Sequence, residues 1–242
     1  MKLKNALIGI LLALAIFGLF QSFRPANQIK GNGNIIKEYR SVQDFQELEA
    51  GGVFHIYYTP ADSFSVFVET DENLMPEIKT KVKNGRLKLS TQGDISNITK
   101  LNVYISAPFL SALDMSGASS FKTTKMMKSN ILNLDFSGAS NGKMDLNCKT
   151  LEADISGAAT LILSGESRTM NIEASGASKL KCEKLKSDIA RINASGASEV
   201  SVTVQKQINI EASGAAQVHY FSRENAEVKV NTSGAATVNR KN

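Results

Sequence analysis

Tryptophan does not occur in the 242 residues, and phenylalanine and tyrosine bring the aromatic share to only 7%. Enzymes that cleave polysaccharides hold sugar rings against aromatic platforms and use a tight carboxylate or Arg/Lys cluster, so a glycan-cleaving activity is the weaker reading of this chain. Histidine is nearly as scarce. His55 and His219 each sit between apolar neighbours, show no zinc-ligand spacing, and are expected to pack at the surface or across strands. The two cysteines, Cys148 and Cys182, are too few for a disulfide framework. Charge of one sign is also missing: 28 basic residues face 23 acidic ones, and without the first 22 residues, which hold Lys2 and Lys4, the balance is 26 against 23. So small and dispersed an excess argues against nucleic acid as a partner.

Only one long hydrophobic run exists. "MKLKNALIGILLALAIFGLFQS" places two lysines before 15 mostly apolar residues, Ala6 to Phe20. This is the layout of a secretory signal, and it falls short of the roughly 20 residues of a spanning helix. Residues 1–22 are therefore expected to direct export to the periplasm or cell surface. No small-x-small cleavage site follows, which leaves an uncleaved anchor as the alternative. No cysteine near the end of the run suggests lipid modification. Residues 23–35, with "RPANQIKGNGNI", read as a linker.

Against these absences stands one recurrent tripeptide. "SGA" begins at Ser116, Ser137, Ser156, Ser175, Ser195, Ser213 and Ser233, at spacings of 21, 19, 19, 20, 18 and 20 residues. Self-similarity at such a period marks stacked structural units. Apolar or small residues lie one, three and five places before each serine, as in "LNLDF" and "INIEA", and again five and seven places after it, as in Leu161 and Leu163. That alternation belongs to strands with one buried face, and no unit shows the three-and-four spacing of a helix. The predicted fold class is all-β: a parallel β-solenoid of about seven coils over residues 116–242, each coil lying ~4.8 Å from the next. The drifting period favours a right-handed coil over a hexapeptide helix held at about 18 residues.

In such a stack the glycine after each serine marks a corner, where it supplies a positive φ or room for close backbone approach. The corner glycines are Gly117, Gly138, Gly157, Gly176, Gly196, Gly214 and Gly234. Valine at Gly176 is expected to be more damaging than valine at Gly165, read here as an exposed loop glycine. Cys148 reads as a turn residue and Cys182 as an inward-column residue two coils away, about 9.6 Å by strand spacing. That exceeds the ~7 Å Cα limit for a disulfide, so both are expected to be free thiols. Residues 36–115 form a β-rich cap, with "VFHIYY", "SFSVFVE", "RLKLS" and "LNVYIS" as strands and the clustered Phe and Tyr as a bulkier core.

The opening "GNGNIIKEYRSVQDFQELEAGGVFHIYYTP", the later "ENLMPEIKTKVKNGRLKLS" and the serial "SGA" together resemble the autotransporter-adhesin head GIN domain family, a bacterial family of unknown function common in Bacteroidetes. The resemblance spans about residues 31 to 239. It implies an exported, all-β envelope protein with β-helical coils and supplies no catalytic residues.

Seven serines beside glycines invite a nucleophile reading, but a hydrolase elbow needs a histidine partner, and two histidines cannot serve seven sites. The corner reading is preferred. The more informative column is outward-facing, two places before each serine: Asp114, Asp135, Asp154, Glu173, Asn193, Glu211 and Asn231. Stacked carboxylates repel unless amides or cations intervene. Asp135, Asp154, Glu173 and Glu211 are the candidate stripe for a cation such as calcium or another ligand, but no acidic loop of calcium-binding spacing accompanies them, and a solvated face offset by Asn133, Asn171, Asn209, Arg191 and Lys229 is the preferred reading. The sequence thus reads as an exported, non-enzymatic adhesion, recognition or scaffolding module, expected to be monomeric and to need no cofactor, metal or disulfide. Its expected partner is an envelope protein or glycan. End-to-end polymerisation and polysaccharide cleavage are the alternatives.

Overall fold

The computed structural model describes residues 28–241; the export signal expected at residues 1–22 lies outside the described residues. Alternation of apolar and polar residues dominates this stretch, and the chain folds almost wholly into strands. The N-terminal set comprises β1 (Ile29–Lys30), β2 (Ile35–Tyr39), β3 (Glu47–Gly52), β4 (His55–Pro60) and β5 (Ser65–Asp71). After a 3₁₀ helix (Glu72–Glu77) come β6 (Ile78–Lys83), β7 (Arg86–Thr91), β8 (Ile95–Ser96) and β9 (Leu101–Ala107). The repeat set follows: β10 (Ala112–Gly117), β11 (Ser120–Thr123), β12 (Met127–Phe136), β13 (Asn141–Ile155) and β14 (Thr160–Ala174). It ends in β15 (Lys179–Ala194), β16 (Glu199–Ala212), β17 (Gln217–Ser222), β18 (Glu227–Thr232) and β19 (Thr237–Lys241).

Every repeat strand pairs in parallel with its copy one turn away, as in Leu151↔Met170 and Ile155↔Ala174. Leu151, Ala153 and Ile155 before the corner and Leu161 and Leu163 after it are buried. Full burial of a large apolar side chain contributes about 1.5–3 kcal/mol, and stacking joins the contributions into one continuous core. The result is a parallel β-solenoid of about six turns, slightly fewer than the seven coils expected. Drift in the repeat has a local cause: Cys182 pairs with Val202 but Lys186 with Thr203, so three residues of β15 bulge out of register.

The corner is a tight turn. In four turns the amide three residues after the serine donates to the serine carbonyl at 3.3 Å, as Ala159 does to Ser156. Gly157 has φ +65°, and positive φ at the first central position only is the type II′ pattern that favours glycine. A Cβ on Gly176 would lie 2.7 Å from the carbonyl oxygen of Gly157, so the column requires glycine sterically as well. The residue after the tripeptide points inward, and Ser140, Ala159, Ser178, Ser198 and Ala216 are buried there. Gly165 differs from its reading as a tolerant loop glycine. It lies inside β14 at φ +112°, where a Cβ would overlap the Leu146 carbonyl oxygen, and is as constrained as any corner.

The N-terminal half extends the stack out of chain order. β3 pairs in parallel with both β7 and β10, and β4 with both β9 and β11. Residues 47–60 therefore form a turn wedged between two others, with Gly52 beneath Gly117 in the corner column. Beyond it the stack is capped by antiparallel strands, β6 on β7 and β2 on β5 on β9. Part of the stretch read as a linker is anchored: β1 pairs with β8, and the Gly33 amide donates to the buried Asp71 carboxylate at 2.7 Å.

Candidate functional site

The strands that precede each corner present two outward columns. Register stacks Glu49, Asp114, Asp135, Asp154 and Glu173 on successive rungs, followed by Asn193, Glu211 and Asn231. Three of the candidate residues, Asp135, Asp154 and Glu173, are thus direct neighbours, while Glu211 is set apart by Asn193. A second column runs beside the first, through Glu47, Ala112, Asn133, Glu152, Asn171, Arg191 and Asn209.

Compensation is uneven along this face. At its N-terminal end Arg86 pairs with Glu47 at 2.7 Å and Lys88 with Glu49 at 2.5 Å. In the second column Asn171 donates to Glu152 at 2.8 Å. From Asp114 to Glu211, however, no first-column carboxylate makes an ion pair among the described residues. Partial burial, and then the charges of Asp114 and Asp154, push the Asp135 carboxyl above its ordinary value. The face is also recessed. An open groove of about 510 Å³ runs over Asp114, Asp135, Asp154 and Glu173, and a second of about 600 Å³ runs over Glu173, Glu211 and the corner serines Ser175, Ser195 and Ser213. Among the described residues no three His, Cys, Asp or Glu side chains converge to hold a metal ion. A stack spaces carboxylates along a line, whereas a calcium ion needs oxygens around a point.

No corner serine lies in a catalytic arrangement among the described residues. The serine that meets a histidine is Ser120, whose Oγ is 2.7 Å from His55 Nδ1 on the exposed surface, with no carboxylate bonded to the ring. His219 Nδ1 is buried without a partner. Both cysteines are buried free thiols. Cys148 lies in β13 with an inward side chain instead of in a turn, and burial pushes its thiol up to about 11.

One outward row is not foreseen from the sequence. Tyr39, Phe67, Tyr104 and Tyr57 stack on adjacent strands of the cap and face outward, not into a bulky core. In "IYY" both parities are apolar, so alternation there does not say which side is inside, whereas Phe67 and Tyr104 share the polar parity of Ser65 and Glu69 and of Asn102 and Ser106.

Fold and faces together define a parallel β-solenoid whose outer surface repeats one polar pattern at every turn. The family model described as "Putative auto-transporter adhesin, head GIN domain" matches residues 44–223, more than half of the chain, and the chain belongs to this family. Among solved structures, a "putative adhesin" from Bacteroides fragilis superposes with a TM-score of 0.84 at 19% identity, covering 88% of this chain and 100% of that one. A second, from Parabacteroides merdae, gives 0.74 at 19% identity over 90% and 100% of the two chains. A "putative lipid binding protein" from Parabacteroides distasonis gives 0.70 at 20% identity over 89% and 100%. At identities this low the likeness is one of fold. No curated protein matches the sequence.

Proposed function

We propose that the protein is an exported, non-enzymatic recognition module of the bacterial envelope, acting at the periplasm or cell surface as a monomer. Its partner is a glycan or an envelope protein. The observation that carries this reading is the carboxylate ladder from Asp114 to Glu173, no member of which forms an ion pair among the described residues, set in an open groove. Like charges one strand apart destabilise a sheet, and a fold selected for stability alone would have interleaved basic residues, as it does with Arg86 at Glu47 and Lys88 at Glu49. A ladder of identical groups every ~4.8 Å lets weak contacts add along the axis, so affinity comes from the number of engaged rungs. The family's adhesin description supports a role in surface contact.

The test is binding of the purified protein to a glycan array and to intact bacterial cells, with and without Asp135→Asn, Asp154→Asn and Glu173→Asn combined. Loss of wild-type binding in the triple variant supports the reading. Undiminished binding removes this face from it, and sedimentation showing concentration-dependent growth would favour polymerisation over a monomeric module.

A further inference from the structure

The strands that follow each corner carry a different chemistry. Their outward row begins with the cap aromatics Tyr39, Phe67, Tyr104 and Tyr57, and register continues it through Lys122, Lys143, Ile162 and Lys181. We propose that this row is a second binding face, for a linear acidic polysaccharide lying along the solenoid axis. It goes beyond the reading above, since it concerns another face of opposite charge.

The lysines set the sign of the ligand. Lys122 and Lys143 are direct cross-strand partners, and Lys122, Lys143 and Lys181 are all exposed. Among the described residues none of the three makes an ion pair, although neighbouring Lys179 pairs with Glu199 at 3.1 Å. Like charges placed directly opposite destabilise a sheet, so the pattern has a cost that an anionic ligand would relieve.

The aromatic part selects the kind of anion. Tyr57 and Tyr104 stack at 5.3 Å with 18° between ring planes, so the rings stand on edge. Lys37 lies between the faces of Phe67 and Tyr104, 5.0 and 4.3 Å from their centroids. Lys37 on one side and Tyr57 on the other thus cover both faces of Tyr104. Edge-on rings with a cation between them offer apolar edges and positive charge to an amphipathic chain, while the Tyr104 hydroxyl donates to Glu69 at 2.7 Å. Beside the row runs a polar column that begins at Glu69, whose charge Lys100 neutralises at 3.3 Å, and continues through Asn102, His55, Ser120, Asn141 and Thr160, whose amides and hydroxyls suit sugar hydroxyls. A ligand with alternating hydroxyls and carboxylates or sulfates, extended in a straight line, matches both columns. The lysines repeat with the strand spacing, ~4.8 Å or its double, so successive sugar units meet successive rungs.

The experiment is titration of the full chain with polygalacturonate and heparin, alongside neutral dextran and single-stranded DNA as competing probes. Both acidic polysaccharides should bind, less tightly as salt rises, and dextran should not. Lys122→Gln, Lys143→Gln and Lys181→Gln combined should weaken binding at least about tenfold, with an unchanged circular dichroism spectrum. Asp135→Asn with Asp154→Asn should leave this binding intact, which separates its failure from failure of the carboxylate face. Absence of binding to both acidic polysaccharides, undiminished binding by the triple variant, or equally tight binding of DNA through the same lysines would each overturn the proposal.

Discussion

Gly176 and Gly33 share a backbone requirement and differ in their surroundings. Their φ values are +70° and +80°, but a Cβ on Gly176 would meet the Gly157 backbone at 2.7 Å, whereas one on Gly33 would meet nothing within 4 Å. Alanine at Gly33 should therefore cost only the left-handed penalty of about 1–2 kcal/mol. Alanine at Gly176 should cost about twice that or more, because the backbone of the turn below must also shift. Urea unfolding of the two variants measures the difference, and equal losses would remove the stacking role of the corner. Asp71 sets a pH dependence at the same scale. Burial alone would raise its pKa, but hydrogen bonds from the Gly33, Thr99 and Lys100 amides and the Thr99 hydroxyl outweigh it and hold the carboxyl below its ordinary value. A lowered carboxylate contributes stability above the ordinary aspartate pKa of about 3.9 and loses it as pH falls through the folded value. Asp71→Asn should be less stable at pH 7 by about 1–3 kcal/mol and should flatten the acid limb of the unfolding curve. An unchanged limb would place the acid sensitivity elsewhere.

Within the strands, Asp135 has the opposite sign. Its raised pKa means that ionisation disfavours the folded state, so the penalty is absent in acid and appears as pH rises through the folded value. Asp135→Asn should stabilise the protein at pH 7 by a few tenths of a kcal/mol after solvent screening and change nothing near pH 3, as thermal melts at the two pH values would show. Destabilisation at pH 7 would mean that the ladder is held by contacts not visible in its pairing. The repeat strands were legible in the sequence because one parity is apolar and the other polar, as in "LNLDF", and a glycine closes every unit. The turn formed by β3 and β4 was not. Its corner reads "AGG" and lacks the repeated serine, and its neighbours in space, β7 and β10, are remote in sequence. The outward Tyr57 was hidden for a related reason, since Ile56, Tyr57 and Tyr58 are all apolar and only pairing with Val103, Tyr104 and Ile105 decides which face is buried. The carboxylate column was visible as spacing, but its lack of counter-ions depended on where Arg86 and Lys88 come to lie.

At the scale of the molecule, each turn touches mainly the turns above and below, so stability is close to a sum of unit and interface terms. One whole turn should then be removable. Ser156 and Ser175 are 19 residues apart, and deleting 157–175 joins Ser156 to Gly176, restoring "SGA" and setting the strand at 179–187 on that at 141–148. The shortened chain, followed by circular dichroism and urea unfolding, should keep a native β spectrum and a cooperative transition at a lower midpoint. Loss of folded structure on removal of this single unit would contradict the claim that "SGA" marks one stackable turn of a solenoid.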